Sequence, residues 1–149
     1  MRFVLVVLVA LAAGCKQQPS TAWNSVQIRW QPFEAGLAAA ARDKTPICLV
    51  ISTEWCPHCT NYSRVFGNPD VVARSSRLVM IRVDADKDPE ISRRYAPDGE
   101  YVPRTLFLSS DGAVDPSIHA PRNRSIYFYS ESDPSSVLAG MDAALGKLH

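Results

Sequence analysis

Ile47-Cys48-Leu49-Val50-Ile51, followed four residues later by Trp55-Cys56-Pro57-His58-Cys59, governs the reading of the whole chain. The first run is apolar and rich in β-branched residues, and it is short enough for a buried strand. From Thr60 to Phe66 neither Pro nor Gly interrupts the chain, and that segment is expected to be helical. Two cysteines, two residues apart, therefore fall where a strand ends and a helix begins. A helix N-terminus presents unpaired N–H groups and a partial positive charge, which favours a thiolate over a thiol. At this spacing the two sulfurs also reach each other over one helical turn. The stretch reads as a redox dithiol, with Cys56 the solvent-facing nucleophile and Cys59 its buried resolving partner. Pro57 suits the first helical position, where a missing N–H costs nothing. His58, when protonated, would favour the anionic sulfur. Trp55 is expected both to pack on the core and to form a lip of the site.

The chain has 149 residues, 46% of them apolar, and a formal charge of +1. That suits one domain with a sizeable core. It excludes the strong field expected of a nucleic-acid binder. At the N-terminus Arg2 precedes an apolar run, Phe3 to Ala13, too short to span a bilayer comfortably. The run ends in Leu11-Ala12-Ala13-Gly14-Cys15. A basic start, a short apolar core and small residues at the end describe a secretory signal. The cysteine directly after them resembles the bacterial lipoprotein cleavage box, in which the cysteine is lipidated. The alternative is an ordinary signal peptide with a chance cysteine. On the lipoprotein reading, residues 1–14 are the signal peptide, 15–24 the lipidated N-terminus and tether, and 25–149 the folded domain. The expected location is the bacterial cell envelope, lipid-anchored and facing the periplasm. Lys16 after the cysteine leans the sorting towards the outer membrane, by analogy with other lipoproteins.

Cys48 lies inside the apolar strand and reads as a small buried hydrophobe. A zinc site would need a second close pair of ligands beside Cys56 and Cys59; His119 and His149 are far apart in the chain. Haem attachment would need a histidine where Thr60 stands. The carboxylates of Asp84, Asp86 and Asp88 hint at a calcium loop, but Pro89 and Tyr95 occupy its glycine and closing glutamate positions. No cofactor or metal is expected, and the Asp84–Asp88 segment reads as a solvated turn.

Along the chain, Trp23 to Trp30 alternates and suggests an edge strand, and Glu34 to Arg42 is alanine-rich and helical by propensity. Gly67-Asn68-Pro69 is a break, and Asp70 to Ser75 a short helix. Leu78 to Val83 is a second convincing strand, and Pro89 to Tyr95 a short helix with Pro at its start. Thr105 to Leu108 is a strand led in by Val102-Pro103-Arg104, and Ser110-Asp111-Gly112 is a hairpin-type turn. Ser125 to Tyr129 is expected to be a further strand. Val137, Leu138, Met141, Ala144, Leu145 and Leu148 give the last helix one apolar face. A C-x-x-C beside this mixture of strands and helices points to an α/β, thioredoxin-like fold: a central mixed sheet flanked by helices on both faces.

Trp55-Cys56-x-x-Cys59, with Val102-Pro103 at a strand start 47 residues after Cys56, resembles the thioredoxin superfamily. The run from Tyr95 to Val114 is similar to the small endoplasmic-reticulum thioredoxins, including the anterior-gradient group. Pro57-His58 resembles the dipeptide of the oxidising bacterial enzyme DsbA. The resemblance implies that Pro103 is cis and lies against the cysteines, and that the backbone of Val102 and Pro103 pairs with an extended substrate. Two departures stand out. Only 44 positions separate Cys59 from Pro103, too few for the helical insertion of DsbA. Val50 occupies the place where thioredoxin and DsbA carry a buried acid.

The leading expectation is an exported thiol-disulfide oxidoreductase, in the oxidising direction. Its partners would be protein thiols and disulfides, a redox recycling partner and the membrane through its lipid anchor. No nucleic acid is expected, and a monomer is the default. The alternatives are a pathway-specific reductant, a non-catalytic thioredoxin-fold binding module, and a metal carrier using both thiolates and His58.

Overall fold

The computed structural model describes residues 22–147. The signal segment, Cys15, most of the expected tether, Leu148 and His149 lie outside the described residues. Four strands form one sheet: β1 (Trp30–Gln31), β2 (Ile47–Ser52), β3 (Val79–Asp84) and β4 (Arg104–Leu108), in the spatial order β1-β3-β2-β4. The helices are α1 (Phe33–Asp43), α2 (Pro57–Ser63), α3 (Pro69–Ser75), α4 (Pro89–Arg94) and α5 (Ser135–Leu145). β2 runs parallel to β3 from Ile47↔Val79 to Ser52↔Asp84, and antiparallel to β4 from Ile47↔Leu108 to Ile51↔Arg104. The sheet is therefore mixed, and the fold is thioredoxin-like, as expected.

β2 is central, and all six of its residues are buried. Side chains alternate between the faces of a strand. Cys48 and Val50 join one apolar cluster with residues of α2, α3 and α5. Ile47, Leu49 and Ile51 join the other, under α1 and the segment that includes Tyr95. A strand covered on both faces has no solvated side, so its sequence reads as an unbroken apolar run. α1 comes very close to β3: a Cβ at Gly36 would lie 2.5 Å from Ile81 Cδ1. α3 starts on Asn68, whose side chain accepts from the N–H groups of Asp70 and Val71, with Pro69 in the first turn.

Four sequence expectations need correction. The strand expected over Trp23 to Trp30 is only the two residues of β1, preceded by a 3-10 turn at Ala22–Asn24. Trp23 belongs to the core, not to a tether. It is 5% exposed and meets the rings of Trp30, Tyr62 and Phe66 at 6.2, 6.0 and 5.4 Å. Burying so large an indole outweighs the polar residues around it. The helix expected to reach Phe66 gives way after Ser63 to a tighter 3-10 turn, Arg64–Gly67.

Ser125 to Tyr129 forms no strand. Ser125 takes φ +47°, and Phe128 N–H closes a turn on the Ser125 carbonyl at 2.9 Å. The alternation there nevertheless has a cause, because Tyr127 and Tyr129 are buried in the two different clusters. The Ser110-Asp111-Gly112 turn forms with Gly112 at φ +86°, but it leads back only to a single bridge, Leu108↔Val114.

Candidate active site

β2 delivers the chain through Thr53, Glu54 and Trp55 to Cys56, the N-cap of α2. Cys56 is extended (φ −80°, ψ 117°), and its Sγ accepts the Cys59 N–H at 3.4 Å. The sulfur thus takes the place of the oxygen that usually caps a helix, satisfying one of the free N–H groups there. Pro57 follows in the first turn. On the other side the Cys56 thiol points to the Val102 carbonyl oxygen at 3.8 Å. The Val102–Pro103 peptide bond is cis, as the resemblance implied. The fold therefore brings together Cys56, Cys59, Val102 and Pro103 from two elements far apart in the chain.

Two sequence expectations differ from this geometry. Cys56 does not face solvent: it is 4% exposed, because its side chain turns back to cap α2 and meets Val102. Trp55 is no part of the core. It is 70% exposed, and its indole N–H donates to Asp86 Oδ2 at 2.7 Å. It remains beside the cysteines as a surface lip. Beside it Lys87 Nζ bonds Glu54 Oε1 at 2.8 Å and reaches Asp84 Oδ2 at 3.1 Å. The segment read as a plain solvated turn thus latches the corner that carries Cys56.

His58 has a partner that the sequence did not reveal. Its Nδ1 lies 2.5 Å from Glu131 Oε1, while Asn61 Nδ2 donates to the other carboxylate oxygen at 3.1 Å. The imidazole also meets Phe128 edge-on at 5.8 Å, and the Arg122 guanidinium lies 4.9 Å from the centre of that ring. Glu131 sits in the loop before α5, 73 residues from His58. No local signal in Ser130-Glu131-Ser132 could have found it; the contact exists only once α5 has docked.

Below the cysteines the side chains are buried. Val50 is fully buried where the superfamily resemblance placed an acid. Its register partner on β4 is Thr105, whose hydroxyl is hydrogen-bonded to Tyr62 OH at 2.8 Å. Cys59 is 2% exposed, and burial pushes its thiol up to about 12. Cys48, also buried as expected, is likewise pushed up to about 12 by burial.

Arg104, directly after the cis-proline, is fully buried. Its guanidinium donates to the Ser92 carbonyl at 2.8 Å, the Ser92 hydroxyl at 2.7 Å, the Tyr95 carbonyl at 3.3 Å and the Tyr101 carbonyl. It ties the segment leading into Val102 to α4. Arginine is rarely buried unpaired, so nothing in its residue type announced this role. Among the described residues no three His, Cys, Asp or Glu side chains gather closely enough to hold a metal ion.

This chain belongs to the thioredoxin-like family, whose pattern matches residues 29–110, more than half its length. Among its relatives, the human anterior gradient protein 2 homolog is 25% identical over 130 residues, covering 87% of this chain and 73% of that protein. Human anterior gradient protein 3 is 25% identical over 142 residues, covering 92% and 84%. Two solved structures share the fold. A disulphide isomerase from Xylella fastidiosa Temecula1 aligns with a TM-score of 0.56 at 20% identity, over 91% of this chain and 99% of that one. A DsbH oxidoreductase aligns with a TM-score of 0.60 at 17% identity, over 80% and 85%.

Proposed function

We propose that this protein is an exported thiol-disulfide oxidoreductase that donates disulfides to protein substrates through Cys56 and Cys59. It is anchored to the bacterial envelope by a lipid on Cys15, faces the periplasm and acts as a monomer recharged by a separate redox partner. One observation carries the redox reading: Cys56 Sγ caps α2 through the Cys59 N–H, 3.8 Å from the carbonyl that precedes the cis-proline. A nucleophilic sulfur is thereby set beside a backbone edge able to pair with an extended peptide. In the exchange a substrate thiolate attacks the Cys56 sulfur of the Cys56–Cys59 disulfide, and the electron pair of the broken bond leaves on Cys59. A second substrate thiolate then attacks its own mixed disulfide, and Cys56 leaves as thiolate. The substrate is oxidised by two electrons, and the dithiol remains on the protein. Support for the oxidising direction comes from the Pro57-His58 dipeptide. The names of the two structural neighbours, a disulphide isomerase and an oxidoreductase, agree with the reaction class.

Cys59→Ala is expected to hold substrates on Cys56 as mixed disulfides that reducing agent releases. The potential measured against glutathione is expected to lie well above that of thioredoxin, about −270 mV. A value near thioredoxin's makes the protein a reductant. A second reading, a non-catalytic binding module, draws on the apolar Val50 beneath the cysteines; wild-type protein that forms no Cys56–Cys59 bond under oxidant would favour it.

A further inference from the structure

Opening or closing the Cys56–Cys59 bond requires a buried thiolate on Cys59, in surroundings that disfavour charge. Val50 offers no polar atom, and the Tyr62 and Thr105 hydroxyls already bond each other at 2.8 Å. Among the described residues, two buried side-chain polar atoms have no hydrogen-bond partner: Thr53 Oγ1 and Tyr129 Oη. The Tyr129 hydroxyl lies by Gly140 of α5. Thr53 does not: it follows β2 directly, in the corner that leads into Cys56, and its backbone and hydroxyl sit where they favour the anionic form of the Cys59 thiol. That hydroxyl closes no hydrogen bond of ordinary geometry, to the Cys59 sulfur or to any other group. A donor left free beside a neutral thiol has a use once the sulfur becomes an anion, and such bonds commonly tighten only along the reaction. An unsatisfied buried hydroxyl is otherwise a cost to the fold.

We propose that the Thr53 hydroxyl holds the anionic form of the Cys59 sulfur whenever the Cys56–Cys59 bond opens or closes, in place of an acid at position 50. This rests on the disulfide exchange proposed above and holds for either direction. In closure, solvent hydroxide takes the proton from the Cys59 S–H. The resulting thiolate, accepting a hydrogen bond from Thr53 Oγ1, attacks Cys56 Sγ. The Cys59–Cys56 bond forms, the bond from Cys56 to the substrate sulfur breaks, and the departing thiolate takes a proton from water. In opening, the same hydroxyl receives Cys59 as the leaving group. Thr53 serves this step better than a carboxylate could by donation, since an ionised carboxylate only accepts.

The test is the two-step reaction of the reduced protein with oxidised glutathione, followed by stopped flow between about pH 6 and about pH 9. Loading of Cys56 and closure by Cys59 are read separately. Thr53→Val, which keeps the shape and removes the hydroxyl, is expected to slow closure about tenfold at every pH. Thr53→Ser is expected to restore it to within about threefold. The closure rate of the wild type should climb with pH, since burial pushes the Cys59 thiol up. Thr53→Val closing as fast as wild type would overturn the inference while leaving the oxidoreductase reading intact. So would Thr53→Ser as slow as Thr53→Val, which marks a packing role. Wild-type protein that loads glutathione and never closes would overturn the oxidoreductase reading itself, and this inference with it.

Discussion

Beneath the cysteine pair lie Val50, Tyr62 and Thr105, all fully buried, with Arg104 equally buried behind Pro103. Around the pair's outer edge lie Trp55 at 70% exposure, His58 against Glu131, and Lys87 against Glu54 and Asp84. The two regions use polar groups differently. On the buried side a deleted hydrogen-bond partner has no ready replacement, so the group it bonded is left stranded. On the rim, water stands ready to replace any lost partner, and exposed ion pairs contribute little to stability. The rim is therefore where the chemistry of the thiol can be retuned at small cost to the fold, and the buried side is where the fold and the site are the same object.

The sharpest way to break that distinction is Arg104→Met. It leaves the carbonyls of Ser92, Tyr95 and Tyr101 without their shared donor. A loss of about 3 kcal/mol or more is expected from urea unfolding. A loss below about 1 kcal/mol would mean that water reaches those carbonyls and that the buried side is not dry.

Glu131→Gln probes the rim. Stability should change by less than about 0.5 kcal/mol. His58, released from its carboxylate, should alter the rate at which Cys56 reacts with a disulfide about threefold. An unchanged rate would place the imbalance of roles elsewhere on the rim.

The smallest effect is expected at Asp142, whose carboxylate bonds Arg74 Nε at 2.6 Å between α3 and α5. The hydrogen bonds from Arg74 hold Asp142 below its ordinary value. A depressed carboxylate stabilises the fold above its unfolded value and loses that contribution as pH falls through its folded one. Asp142→Asn should lower the melting temperature by only about 1 °C at neutral pH, and the difference should begin to shrink near about pH 4 and vanish only once pH has fallen below the depressed folded value. A larger shift would make an exposed pair behave like a buried one.

Legibility in the sequence followed the same division. β2, β3 and β4 were readable because burial on both faces writes an apolar run into the chain. α1 and α5 were readable from composition and helical spacing. Cys56, Cys59 and Val102-Pro103 were readable from spacing and resemblance, and so was the missing acid at Val50. The segment Ser125–Tyr129 misled because Tyr127 and Tyr129 alternate between two cores, while the segment meets β4 through the Thr105 N–H to Tyr127 carbonyl bond at 2.8 Å without forming a ladder. Trp23 misled because polar neighbours conceal an indole that packs among Trp30, Tyr62 and Phe66.

By itself the chain determined its layers, the order of its main elements and the identity of the two sulfurs that the proposed chemistry uses. These depend on periodicity and on residue type, which are local properties. Only the folded structure decided that Cys56 turns inward as a helix cap, that Glu131 holds His58, that Asp86 holds Trp55 and that Thr53 stands free beside Cys59. Each of these depends on the distance between segments that pack together, and no pattern within a segment encodes which polar atom its neighbour will bring.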